Sequence, residues 1–81
     1  MNTNNHKSLD LHGSSYSEAE ILIDEFIIRN IDSLPLEIIT GNSVDMLEVL
    51  KKIVANHSLK IIPSHPSNMG SFLVTMPLYI K

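Results

Sequence analysis

The residues best suited to chemistry in this 81-residue chain lie where two short extended segments each run into a glycine. In Leu9-Asp10-Leu11-His12-Gly13, Asp10 and His12 are two residues apart. They therefore share one face of an extended segment, with Leu9 and Leu11 on the other. An imidazole beside a carboxylate can take or give a proton near neutral pH. Leu36-Glu37-Ile38-Ile39-Thr40-Gly41 ends in the same way and continues into Asn42-Ser43. A glycine lets backbone approach a ligand with no Cβ in between. Each of these glycines precedes a helix-forming stretch, whose free N–H groups and dipole favour an anion such as phosphate. Asp10, His12, Thr40, Gly41, Asn42 and Ser43 thus form a candidate constellation, with Asp10 orienting His12.

The elements that must position these residues follow from periodicity. Leu9–His12 is a short first strand. Ser15-Tyr16-Ser17-Glu18 has the spacing of a capping box. Behind it Ala19, Leu22, Ile23, Phe26 and Ile27 form one helical face, predicting a helix over 16–31. Ile21 and Ile28 widen that face, so the helix is expected to be well covered, and Glu25 and Arg29 can pair on the outside. Pro35 disfavours helical geometry before it, which separates this helix from the second strand, 36–41. Met46, Leu47, Leu50, Ile53 and Val54 predict a second helix over 44–56, with Ser43 as its N-cap. Asn56 is expected as its left-handed stop, and His57 as a partner of its last carbonyls. Leu59–Ile62 is a third strand ended by Pro63, and 64–70 is a loop. Ser71–Met76 is a fourth strand, with Phe72, Val74 and Met76 on one face.

The order β-α-β-α-β-β implies a right-handed parallel crossover, followed by two strands too closely joined to be parallel. The expected fold is a two-layer α/β sandwich: a four-stranded mixed sheet with both helices on one face. The carboxyl ends of the first two strands then share a rim, where ligands of such sheets gather. His65 could reach that rim if its loop folds toward it. Lys51, Lys52 and Lys60 could make a local basic patch. Met46, Met69 and Met76 are read as core or gap-filling residues.

Composition narrows the classes. Ile, Leu, Val and Phe are 27 of the 81 residues, enough for a folded core. Six basic and nine acidic residues leave a net charge of −3, which argues against a broad charge-driven polyanion binder. There is no cysteine, which excludes disulfide scaffolds, thiol catalysis and cysteine zinc sites. No apolar run approaches the roughly 18 residues of a membrane span, and Met1–Ser8 is polar, without the apolar core of a signal peptide. The expectation is a monomeric cytoplasmic domain over 9–81 behind a disordered arm, 1–8, with no membrane association. The chain is too short for a deep pocket beside a full core, so any site must be shallow and at its edge.

Leu9-Asp10-Leu11-His12-Gly13, followed by the capped helix opening Ser15-Tyr16-Ser17-Glu18-Ala19, resembles the amino-terminal signature of the Small MutS-Related (Smr) domain. Ile38-Ile39-Thr40-Gly41 resembles the family's second motif in its threonine variant, Leu47–His57 its second helix and Gly70–Met76 its glycine-led last strand. The resemblance covers about residues 9–76. It implies a fold like the carboxy-terminal domain of bacterial translation initiation factor three. It also implies a nucleic-acid-linked activity, nicking of DNA or RNA, in proteins tied to recombination, repair, ribosome rescue or organellar RNA processing. Carried over by position, Asp10, His12 and Thr40 are the catalytic candidates. Gly13, Gly41, Asn42 and Ser43 are nucleic-acid-binding candidates, joined by His65 and Lys60 from the loop and lysine readings. The family's second motif continues as Gly-x-Gly, whereas here Gly41 runs on as Asn42-Ser43-Val44. The alternative is therefore a non-catalytic module that binds nucleic acid or a protein partner. No three-ligand metal spacing is visible, so no metal ligands are assigned and a divalent cation stays open as cofactor.

Overall fold

A computed structural model describes residues 6–77. Its elements are β1 (Ser8–Asp10), α1 (Tyr16–Arg29), β2 (Leu36–Ile39), α2 (Val44–Asn56), β3 (Lys60–His65) and β4 (Asn68–Thr75), with a 3-10 turn at Ile31–Ser33 between α1 and β2. The four strands form one mixed sheet in the order β1-β2-β4-β3. β1 and β2 are parallel, and β4 is antiparallel to both β2 and β3. This is the expected two-layer α/β sandwich. No helix among the described residues is long and apolar enough to cross a membrane.

The core forms where one face of the sheet meets the helices. Leu36 and Ile38 of β2 sit opposite Val74 and Phe72 of β4, and all four are buried. Against them pack Ala19, Ile23 and Ile27 from α1 and Met46, Leu50, Ile53 and Val54 from α2. The alternate positions of the same strands, Glu37 and Ile39 on β2 and Ser71 and Leu73 on β4, face away from the helices, because strand side chains alternate. On that face Ser64 and Ser71 are joined at 2.9 Å between their Oγ atoms, and Ser71 donates to Glu37 Oε2 at 2.7 Å.

Helix starts follow local chemistry. Ser15 Oγ accepts from Glu18 N–H at 3.1 Å while Glu18 Oε1 accepts from Ser15 N–H at 2.9 Å, the reciprocal capping box. Ser43 Oγ accepts from Met46 N–H at 3.0 Å. Helix ends depart from expectation. α1 stops at Arg29 and tightens into the 3-10 turn. The left-handed residue after α2 is Ser58, at φ +59°, rather than Asn56. His57 meets the last carbonyls of α2 through its backbone, its N–H donating to Val54 C=O at 3.1 Å. Its imidazole goes elsewhere: Nε2 lies 2.6 Å from Asp24 Oδ1, tying α2 to α1. A second tie is Lys52 Nζ to Glu20 Oε2 at 2.6 Å. Among the described residues Glu25 and Arg29 form no ion pair. α1 is also less covered than its sequence implies: Ile21 and Ile28, 60% and 58% exposed, point to solvent.

The carboxy-terminal half differs most. Pro63 does not end β3 but lies within it, opposite Phe72, with a register shift before His65. β3 is an edge strand, where a residue without an N–H is tolerated. The expected loop is instead a two-residue connection, Pro66-Ser67, in a hairpin closed by His65 and Asn68. Met69 and Met76 are exposed, so neither is a core methionine. At the amino end, strand pairing begins before Leu9: Glu37 N–H donates to Lys7 C=O at 2.9 Å, and Ser8 pairs with Glu37. The remainder of the expected arm, residues 1–5, lies outside the described residues, as do residues 78–81 of the expected domain.

Candidate functional site

β1 and β2 run parallel, so their carboxyl ends open onto one rim. There a cleft of about 370 Å³ lies between the two loops that follow them. Buried Leu11, Thr40 and Met46 form its floor. His12-Gly13-Ser14 makes one wall and Gly41-Asn42-Ser43 the other, with Tyr16 at the start of α1 alongside. His12, Gly13, Thr40, Gly41, Asn42 and Ser43 are therefore brought together. Tyr16 and Ser14 were not anticipated as lining residues. Only their place at the amino-terminal end of α1, next to the first motif, could have marked them.

The His12 wall is a β-turn, with Ser14 N–H donating to Leu11 C=O at 3.0 Å. Gly13 at φ +83° occupies the turn position that needs positive φ, and His12 precedes it, exposed. Asp10 does not line the cleft. Its Oδ1 accepts from the His12 backbone N–H at 2.9 Å. Asp10 thus shapes the turn by an Asx-type contact instead of orienting the imidazole.

The opposite wall depends on a third glycine. Gly70 C=O accepts from Thr40 N–H at 2.8 Å and from Gly41 N–H at 3.0 Å. The Thr40 hydroxyl, in a residue only 5% exposed, lies 2.9 Å from Gly41 C=O and 3.3 Å from Gly70 C=O, so its proton goes to backbone. A Cβ on Gly70 would come within 3.1 Å of Gly41 C and O, so the close approach itself selects glycine there. At Gly41 a Cβ would meet nothing within 4 Å, and φ +69° is what selects glycine. The Gly41 N–H is therefore taken and cannot serve a phosphate. The N–H groups of Gly13, Asn42 and Ser43 have no acceptor among the described residues. They are the donors the cleft offers, with the first turns of α1 and α2 behind them.

Charge around the cleft is not basic. Among the described residues His12 is its only imidazole, and no lysine or arginine lines it. Asp45, in the first turn of α2, lies 3.4 Å from the Tyr16 hydroxyl. Two expected binding residues lie elsewhere. β2 and β3 are both antiparallel to β4, so they run the same way, and Lys60, at the start of β3 opposite Thr75, sits at the far end of the sheet. His65 borders a separate recess of about 340 Å³ with His6, Glu37, Ser64 and Leu73. Among the described residues no group of three His, Cys, Asp or Glu could hold a metal ion. No protein-family model, no curated protein and no solved structure matches this chain.

Proposed function

We propose that this chain is an Smr-like nucleic-acid-binding domain of the cytoplasm whose rim cleft receives one phosphate of DNA or RNA. The observation that carries the reading is the convergence of His12, Gly13, Asn42 and Ser43 on one cleft between two helix N-termini. Unpaired backbone N–H groups and helix dipoles favour an anion there. His12 is the residue able to move a proton at a bound phosphodiester. Acting alone, a general acid or base contributes about 10²–10⁴-fold, so the nicking this site supports is slow.

The second reading is binding without turnover. It is favoured by the engagement of Asp10 with backbone N–H and of Thr40 with backbone carbonyls, which leaves His12 without either as a partner. Labelled single- and double-stranded DNA and RNA, incubated with the protein and with His12→Ala, separate the two. Cleavage that is lost in His12→Ala supports the catalytic form. Binding with no cleavage leaves the module. Neither binding nor cleavage overturns both.

A further inference from the structure

The sheet face turned away from the helices carries the recess of about 340 Å³ lined by His6, Glu37, Ser64, His65 and Leu73. Its polar groups are linked across three strands. Ser71 of β4 is only 5% exposed and donates its one hydroxyl proton to Glu37 Oε2 of β2 at 2.7 Å. The Ser64 hydroxyl of β3 lies 2.9 Å from the Ser71 oxygen. A carboxylate can only accept, so the direction of this chain is fixed: Ser64 donates to Ser71, and Ser71 to Glu37. Both hydroxyl protons are therefore committed inside the protein. What they leave for a ligand is the second carboxylate oxygen of Glu37 and the lone pairs of Ser64, which are acceptors only. His6 and His65 each add an acceptor wherever a ring nitrogen is unprotonated.

We infer that this recess binds a guanidinium group, carried by an arginine side chain or by a small molecule. The Glu37 carboxylate is half-buried and has no lysine or arginine partner among the described residues, whereas Glu20 and Glu48 each have one. A charge drawn partly out of water with no counter-ion is unfavourable, and a cationic ligand offsets that. The lining also selects the kind of cation. A guanidinium has five N–H donors and no acceptor, the complement of acceptors with no free donor. It is a flat fork and more weakly hydrated than an ammonium, so it can meet Glu37 and Ser64 together and leave water more readily. A lysine ammonium is a compact point charge. Leu73 of β4 stands between the two outer strands, opposite Glu37 on one side and Ile62 on the other. It supplies the apolar contact that an arginine stem takes. The buried Ser71 holds the carboxylate in place before a ligand arrives, so less side-chain freedom is lost on binding. The recess and the rim cleft thus suit ligands of opposite charge, and neither reading depends on the other.

Amide NMR titrations of the whole chain test this with N-acetyl-arginine N-methylamide, the corresponding lysine and citrulline compounds, and free L-arginine. Citrulline keeps the shape of arginine and lacks its charge. The blocked arginine is expected to move the amides of Glu37, Ser64 and Leu73, and the blocked citrulline to leave them in place. Glu37→Gln removes the charge and keeps the side-chain shape, and should weaken arginine binding by about tenfold or more. Ser64→Ala removes the second acceptor and should weaken it by about twofold or more, which keeps the test open if Glu37→Gln fails to fold. Free L-arginine separates the sources. Equal binding of the free and blocked forms assigns the recess to a small guanidinium compound, and binding of the blocked form alone assigns it to an arginine within a protein chain; either supports the guanidinium site. The proposal is overturned if the lysine compound binds as tightly as the arginine compound, if citrulline moves the same amides, or if no probe moves them. The cleft reading stands in each of these cases.

Discussion

At the scale of single residues, the most consequential contact of the site involves a position with no chemistry of its own. Gly70 carries the carbonyl that accepts from Thr40 and Gly41 N–H, and its missing Cβ lets β4 approach Gly41. Gly70→Ala forces backbone against backbone, since the nearest atoms are the main chain of Gly41 and not a flexible side-chain end. Overpacking of this kind costs about 1–3 kcal/mol, and each 1 kcal/mol lowers the melting temperature of a domain this size by about 4–8 °C. Thermal unfolding followed by circular dichroism checks it, and an unchanged midpoint would show that the strand end relaxes freely. The same contact explains what could not be read from the chain. The Asp10–His12 and Thr40–Gly41 pairs stand out by type and spacing. Which N–H groups are spent depends on a partner 30 residues away. Local patterns carry no information about that pairing, so Gly41 looked like an anion donor and Gly70 merely like the start of a strand.

At the scale of elements, legibility followed how local the determining interactions are. The starts of α1 and α2 are set by Ser15 and Ser43, each bonded within three residues, and both were evident in the sequence. The ends of the carboxy-terminal strands are set by neighbours. Pro63 reads as a terminator, yet the edge of the sheet does not need its N–H, so β3 runs on to His65. That extension shortens the expected loop into a hairpin and carries Met69 to the rim beside Val44, exposed instead of buried. The capping box gives the element-scale prediction. Ser15→Ala removes the acceptor for Glu18 N–H and is expected to destabilise the fold by about 1 kcal/mol. Urea denaturation should show a lower midpoint with an unchanged slope. Lys52→Ala should do less, because exposed ion pairs contribute about 0–1 kcal/mol and the Lys52–Glu20 pair is roughly half exposed on both sides. If Lys52→Ala proves the more damaging, the tie between the helices matters more than the cap at the start of α1.

At the scale of the whole molecule, the net charge of −3 and a cleft that no lysine or arginine lines among the described residues bear on the proposed binding. A protein that neutralises 6–10 phosphates loses roughly 10³–10⁵ in affinity between 50 and 200 mM salt. Under the proposed function one phosphate is met in the cleft, by N–H dipoles and by His12. The slope of log affinity against log salt on a single strand should then be about −0.7 or shallower, which is at most about a threefold loss over that range. An acidic residue beside the cleft gives the complementary test. Asp45 sits in the first turn of α2, beside the Tyr16 hydroxyl, where its charge complements the positive end of the helix and would repel the phosphate of the proposed ligand. Asp45→Asn removes that repulsion and keeps the side-chain shape. Affinity for a labelled single-stranded oligonucleotide should rise by about two- to fivefold, the equivalent of roughly 0.3–1 kcal/mol for a charge at a helix terminus. The gain should be largest at low salt and fade as screening increases. A steep salt slope with no response to Asp45→Asn would place the phosphates elsewhere on the molecule. The lysines of the outer helix surface and of β3 would be the groups to examine, since they are the cations the cleft lacks.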